Sequence, residues 1–251
     1  PPELAVQLVV SIWGNHCSGI IPSSFRDIAP ADMPLKALVF DAYGTLFDVH
    51  SVILRCEQLW PGKGERISQL WRSKQLEYTW QRSLMRRYAP FSQVTEDALL
   101  FSCECLGLKI GKKEQQALMD EYRRLALYPD VVSSMHKLKS RKCAILTNGS
   151  PDMIEPLVAQ SGLALDAVLS VDALRVYKPA PEVYQLAVDR LQTPTAEIGF
   201  VSSNCWDALG AKSFGFTVYW INRAQAPVDR LGIGLDFVIS SLHDLDEKIQ
   251  S

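Results

Sequence analysis

The stretch Val39-Phe40-Asp41-Ala42-Tyr43-Gly44-Thr45-Leu46 closes an apolar run that includes Leu35 and Ala37 to Phe40. Such a run reads as a buried strand, and it ends on a carboxylate. Gly44 follows, a residue that lets the backbone turn sharply. A carboxylate at the carboxyl end of a buried strand, beside a tight turn, is where open α/β sheets place their chemistry. Taken alone, Asp41 could equally cap the next turn, so the rest of the chain decides.

Downstream of Phe47-Asp48 the pattern changes. From Val49 to about Tyr128 the residues read as helical: Ile67, Leu70 and Trp71 fit successive turns, and Leu76, Trp80 and Leu84 recur at four-residue steps. Thr95-Glu96-Asp97 is expected to open a further helix and Glu114 to Leu127 to form the last, with Pro61-Gly62-Lys63-Gly64 as a turn. No strand is expected in this block. From Pro129 onward strands (143–146, 168–171, 198–201, 217–221 and 237–239) alternate with helices (131–139, 151–160, 181–191, 206–214 and 242–249). That alternation implies a doubly wound parallel sheet, α/β in class, with an all-helical cap inserted after the first strand. The expected division is a core domain over 35–48 and 129–251, a cap over 49–128 and a leader over 1–34. The leader lacks a basic start and a convincing cleavage site, so it does not read as a secretory signal. It reads instead as dispensable: a flexible leader, a targeting remnant, or upstream sequence with Met33 near the true start.

The chain has 251 residues, 47% hydrophobic, with a formal net charge of -2. That length supports a sizeable core plus a second small domain. The near-neutral charge gives no reason to expect nucleic acid or an anionic membrane as partner, and no apolar run reaches membrane-spanning length. The six cysteines are scattered, with Cys103-Glu104-Cys105 the one close pair and no His cluster to complete a zinc site. Cys143 and Cys205 read as buried thiols, and a reduced cytoplasmic protein is the plain expectation.

Polar residues recur where core strands end: Asp41, then Thr147-Asn148, Lys178, and finally Ser202-Ser203-Asn204 with Asp207. Strand ends on one edge of a parallel sheet converge in space. Asp41-x-x-Gly44-Thr45, Thr147-Asn148-Gly149, Lys178-Pro179 and Ser202-Ser203-Asn204-x-x-Asp207 resemble the four motifs of the haloacid dehalogenase superfamily. The resemblance runs from about Leu35 to the C-terminus. It is closer still to the type II L-2-haloacid dehalogenases, through Asp41 to Ser51, Trp71-Arg72-x-Lys74-Gln75-Leu76-Glu77-Tyr78-Thr79-Trp80, and Val201 to Asp207. Phosphatases of that superfamily carry a second Asp two residues after the nucleophile and acidic residues near the fourth motif for Mg2+. Here Tyr43 stands at the first position and Ser202, Ser203 and Asn204 precede Asp207. Magnesium favours carboxylate oxygens, so neither a metal nor another cofactor is expected.

The reaction expected is displacement through a covalent ester, and by the resemblance it turns small L-2-haloalkanoic acids into D-2-hydroxy acids. Asp41 is the nucleophile and Lys178 holds it ionised. Asp207 activates water, with Lys178 a second candidate base. Asn204 and Ser202 orient the carboxyl group, and Thr45 hydrogen-bonds the nucleophile region. Thr147 and the N–H groups near Ala42-Tyr43 bind the substrate carboxylate. Tyr43, Leu76, Phe91 and Trp206 wall the site. The resemblance further implies that Tyr184 belongs to the network positioning Lys178, that Arg72 and Asn148 cradle the departing halide, that carbon 2 is inverted, and that the protein is a homodimer joined through the cap. Thr147 stands where many relatives carry Ser; the added methyl is expected to narrow the pocket. Tyr184 and Trp206 also fit as core residues, and His50 is expected to pack at the hinge into the insert. Two rival readings remain at this level. One is a Mg2+-dependent phosphatase or phosphonatase of the same fold. The other is a binding protein that kept the pocket without turnover.

Overall fold

The computed structural model describes residues 34–250, so the expected leader lies outside the described residues apart from Pro34. The chain opens with β1 (Ala37–Phe40), shorter than the apolar run that contains it. Four helices then intervene: α1 (His50–Leu59), α2 (Gly64–Leu84), α3 (Phe91–Cys105) and α4 (Lys112–Glu121). The chain continues as α5 (Val131–Lys137), β2 (Lys142–Thr147), α6 (Pro151–Ser161), β3 (Ala167–Ser170), α7 (Pro181–Leu191), β4 (Ile198–Ser202), α8 (Cys205–Phe214), β5 (Thr217–Ile221), β6 (Phe237–Ile239) and α9 (His243–Gln250). Several of these elements carry the expected start signals, with Pro151 and Pro181 in the first turns of their helices. Gly162 and Gly215 end α6 and α8 in left-handed conformation.

The six strands form one parallel sheet in the order β3-β2-β1-β4-β5-β6. Both flanking neighbours of β1 are in the same register, with Phe40 opposite Ile145 on β2 and Val201 on β4. All four β1 residues are fully buried, as a strand covered on both faces demands. Helix α7 packs on β2 and β3, and α8 on β4 and β5. The order reverses beside β1, so β1 lies at the crevice where ligands bind in open sheets.

Several details of the helical block differ from the sequence reading. Helix α3 begins at Phe91, so Thr95 lies inside it, one turn in. Helix α4 stops at Glu121 because the chain must return to the sheet: Leu127 bridges Phe47, and Tyr128 N–H donates to the Leu46 carbonyl at 2.9 Å. A strand-like contact thus exists in a block expected to have none. On α2 the fully buried residues are Ile67, Trp71, Gln75 and Thr79, offset by one from the Leu76–Trp80–Leu84 stripe. The helix has two working faces. One buries Gln75 and Thr79 with their own hydrogen bonds, and the other presents Leu76 and Trp80 away from that seam. Leu84, at the helix end, is 86% exposed. His50, expected to pack at the hinge, is exposed and faces Asp48.

The helices over the site are tied to the sheet side by hydrogen bonds at several points. Tyr177 N–H donates to Ser83 Oγ (3.1 Å) and its hydroxyl to the Ala89 carbonyl (2.6 Å). The Tyr88 hydroxyl donates to Asp172 (2.7 Å), and Ser92 N–H to Ser150 Oγ (3.2 Å). Trp80 stands edge-on to Trp206, with ring centroids 5.4 Å apart.

Candidate active site

Asp41 follows the last residue of β1, and its N–H donates to the Val201 carbonyl at 2.9 Å. Gly44, at φ +85°, makes the turn that brings Thr45 back under it; a side chain there would be strained and would press Ser203 Oγ at 3.1 Å. The Asp41 carboxylate accepts three hydrogen bonds. Lys178 Nζ donates to Oδ1 (3.1 Å), while Thr45 Oγ1 (3.1 Å) and Asn204 Nδ2 (2.9 Å) both donate to Oδ2. Ser203 N–H donates to Thr45 Oγ1 at 2.8 Å, which leaves the Thr45 proton for Asp41. Ser203 therefore orients Thr45 beside Asp41, a role its place in the Ser202-Ser203-Asn204 run could have signalled. Ser202 Oγ accepts from Asn204 N–H (3.1 Å) and so steadies Asn204 rather than bonding Asp41.

Lys178 Nζ also donates to Asp207 Oδ2 at 2.9 Å, so one buried ammonium bridges two carboxylates. Burial alone would lower the Lys178 pKa, but Asp207 and Asp41 outweigh it, and the ammonium is held charged. Burial pushes the Asp207 carboxyl up to about 6, against the pull of Lys178 and with the help of the Asp41 charge. Tyr184 OH donates to Asp207 Oδ1 at 2.9 Å. Burial, then the Asp207 charge, pushes that phenol far up, so it stays a donor. Tyr184 is fully buried among Phe200, Phe214 and Phe216, and thus serves as core residue and network member together.

The β2 end supplies the opposite wall. Thr147 Oγ1 accepts from Gly149 N–H at 3.0 Å, which leaves its own proton to donate. Asn148 Oδ1 accepts from Lys178 N–H at 3.0 Å, which turns its NH2 group away from that bond. Ser170 Oγ pins the loop through the Gly149 carbonyl at 2.7 Å. Tyr43 packs against Gly149 so closely that a β-carbon there would meet its ring at 2.7 Å. The Tyr43 hydroxyl is buried and has no hydrogen-bond partner among the described residues. Burial raises its pKa far above the usual phenol value, so it keeps its proton. The Ala42 carbonyl accepts from Thr45, Leu46 and Phe47 N–H groups and fixes the turn.

From the helical block come Arg72 and Leu76 of α2 and Phe91 of α3. Together with Asp41, Tyr43, Thr147, Asn148, Asn204 and Trp206 they line a narrow cavity of about 10 Å3. Thr45, Lys178, Tyr184, Ser202 and Asp207 lie beneath it, so the structure gathers the residues singled out from sequence in one place. Among the described residues, no group of three His, Cys, Asp or Glu side chains could hold a metal ion. The two carboxylates nearest the cavity converge instead on the Lys178 ammonium. Chemically, the arrangement presents an oriented carboxylate to a small cavity that carries one guanidinium and several neutral donors.

The family model for haloacid dehalogenase-like hydrolases matches residues 35–215. The chain is similar to an (S)-2-haloacid dehalogenase of Pseudomonas sp. (strain YL), 49% identical over 221 residues that span 86% of this chain and 95% of that one. The crystal structure of the L-2-haloacid dehalogenase RSc1362 aligns with a TM-score of 0.86 and 45% identity, covering 87% of this chain and 100% of that one. A structure of the L-2-haloacid dehalogenase from Xanthobacter autotrophicus with chloropropionic acid covalently bound aligns with a TM-score of 0.81 and 42% identity, covering 86% and 99%. With β1 ending on Asp41 at the switch point of a six-stranded parallel sheet and relatives at this level of identity, the chain belongs to the haloacid dehalogenase-like hydrolases and, within them, to the L-2-haloacid dehalogenases.

Proposed function

We propose that the protein hydrolyses small L-2-haloalkanoic acids to D-2-hydroxyalkanoic acids with release of halide. The observation that carries this reading is the buried Lys178 ammonium set between Asp41 and Asp207, under a cavity rimmed by Arg72 and Asn148. In the first step an Asp41 carboxylate oxygen attacks carbon 2 from the side opposite the halogen. The carbon–halogen bond breaks and halide leaves with the electron pair, inverting that carbon. In the second step Asp207 takes a proton from water, and the hydroxide attacks the Asp41 carbonyl carbon. The acyl carbon–oxygen bond breaks, the departing alkoxide takes the proton of the newly formed Asp41 carboxyl group to leave as the 2-hydroxy acid, and Asp207 gives its proton up to solvent, which regenerates both carboxylates. The covalent chloropropionate adduct of the Xanthobacter relative supports an ester route.

Lys178, Thr45 and Asn204 hold the attacking carboxylate in place, and Lys178 offsets charge on it. The Thr147 hydroxyl, the Tyr43 phenol and the N–H groups around Ala42 are the proposed donors to the substrate carboxylate. Arg72 and the Asn148 amide receive the halide. Leu76, Phe91 and Trp206 exclude bulk water and wall the alkyl group. Tyr184, and Ser202 through Asn204, act by holding these groups. In this reading residues 49–128 form the cap and 35–48 with 129–251 the catalytic core. Five free cysteines among the described residues support a reducing, cytoplasmic setting. Leu84 and Met85, strongly exposed at the end of α2, support a homodimer through the cap.

The test is halide release from L- and D-2-chloropropionate in the presence of a chelator, by wild type and by Asp41→Asn. Release from the L isomer alone, absent in the variant and indifferent to chelation, is the expected result. A chelator-sensitive phosphate-ester hydrolysis with no halide release would overturn it.

A further inference from the structure

Gln75 is completely buried between α2 and α3, and burying an amide is costly unless its groups are paired. Its Oε1 accepts from Arg72 Nη1 at 2.6 Å, and its Nε2 donates to Thr95 Oγ1 at 2.7 Å. Thr95, also completely buried, donates from the same oxygen to the Phe91 carbonyl at 2.7 Å. The polarity of this chain is forced at both ends. A carbonyl only accepts, so the single Thr95 proton must point at Phe91, and the remaining Thr95 lone pairs can only accept from the Gln75 NH2 group. A guanidinium only donates, so the Gln75 oxygen must face Arg72. A flipped amide would set donor against donor at Arg72. Trp71 Nε1 adds a parallel tie by donating to the Thr95 carbonyl at 2.7 Å.

We propose that Gln75 and Thr95 are positioning residues that aim the Arg72 guanidinium into the cavity. One Arg72 donor is committed to Gln75, which leaves the others for the halide. The chain begins and ends on cavity-lining residues, Phe91 and Arg72, so it also fixes the spacing between two walls that arise on different helices. This inference rests on the proposed reaction, in which Arg72 receives the leaving halide. If it holds, loss of the chain should hurt most where departure of the halide is hardest.

The experiment compares kcat/KM for L-2-chloropropionate and L-2-bromopropionate in wild type, Thr95→Val, Thr95→Ser and Gln75→Leu, with chloride inhibition and thermal unfolding measured beside them. Loss of the hydrogen bond to the charged Arg72 predicts a fall of about 10- to 100-fold on the chloride substrate for Gln75→Leu, and loss of the neutral bond to Gln75 a fall of about 2- to 10-fold for Thr95→Val. The fall on the bromide substrate should be clearly smaller, since bromide is the better leaving group, and chloride should inhibit more weakly. Thr95→Ser keeps the hydroxyl and should stay close to wild type in the chloride-to-bromide ratio. An unchanged ratio in both Thr95→Val and Gln75→Leu, with wild type active, would overturn this inference alone, even if the variants were less stable. If Thr95→Val does not fold, Gln75→Leu and Thr95→Ser decide by the same ratio. Wild type that releases no halide from either substrate would overturn the proposed reaction itself.

Discussion

Burial raises the Asp207 carboxyl to about 6, and two consequences of opposite kind follow. As the proposed base for the second step Asp207 must be ionised, so turnover should fall about tenfold per pH unit below about pH 6, a limb that kcat against pH will show. For stability the sign is reversed. The folded-state value lies above the ordinary 3.8, so the native protein binds the extra proton, and this group's contribution declines as pH rises from about 4 to about 6. Asp207→Asn should separate the two chemical steps. Halide should be released once per site and then stop, and intact-protein mass should show the substrate's carboxyalkyl group retained on the chain as an Asp41 ester. Gly149→Ala places a β-carbon 2.7 Å from the Tyr43 ring and should drive that ring into the cavity. A rise in KM with little change in melting temperature is the expected outcome. Asp41, Lys178 and Asp207 were legible in the sequence because each follows a strand or stands in a motif of recognisable spacing. Gln75 and Thr95 were not, because a buried amide on a helix has the same spacing as an exposed one. Only the tertiary contact between α2 and α3 shows that its neighbours satisfy it.

The strands were read nearly to the residue, since a parallel sheet buried on both faces writes itself as short apolar runs, and 217–221 and 237–239 match β5 and β6. The helices over the site were harder. Leu76, Trp80 and Leu84 suggested one apolar face on α2, yet its buried seam includes Gln75 and Thr79, and Leu84 lies in the open. Amphipathic spacing finds the face that is apolar, and here a second, partly polar face is also covered. The end of α4 was missed because no Gly or Pro marks it; the return of the chain to Phe47 does. Just ahead of α5, Asp130 ties three segments together. It accepts from Arg223 at 2.8 and 3.0 Å and from Leu242 N–H at 2.7 Å, just before α9. Burial alone would raise its pKa, but Arg223 and the Leu242 N–H more than offset this and hold it below the ordinary carboxylate value. Its contribution is therefore present at neutral pH and lost on acidification through the lowered value. Asp130→Ala should destabilise the fold by about 2–4 kcal/mol, read from denaturant unfolding, because it removes the carboxylate partner of Arg223 and leaves the Leu242 amide without its acceptor.

The sheet and the helices above it divide the labour of the molecule. Strand ends β1, β2 and β4 and the segment around Lys178 supply the carboxylates, the ammonium and the amides, while α2 and α3 supply Arg72, Leu76 and Phe91. The space between these walls is narrow, about 10 Å3, so activity should drop steeply as the alkyl group of the 2-halo acid lengthens beyond propionate. Leu76→Ala should relax that limit, which a series of chain lengths compared by kcat/KM will reveal. Much of this arrangement follows from register. With Phe40 level with both Ile145 and Val201, the chain delivers its reactive groups to one edge whatever stands above. That separation has an evolutionary corollary. The sheet supplies the reactive groups and the inserted helices the walls above them, so a lineage could acquire new substrates by rewriting the helical insert alone, with Asp41 and its partners on the sheet inherited unchanged.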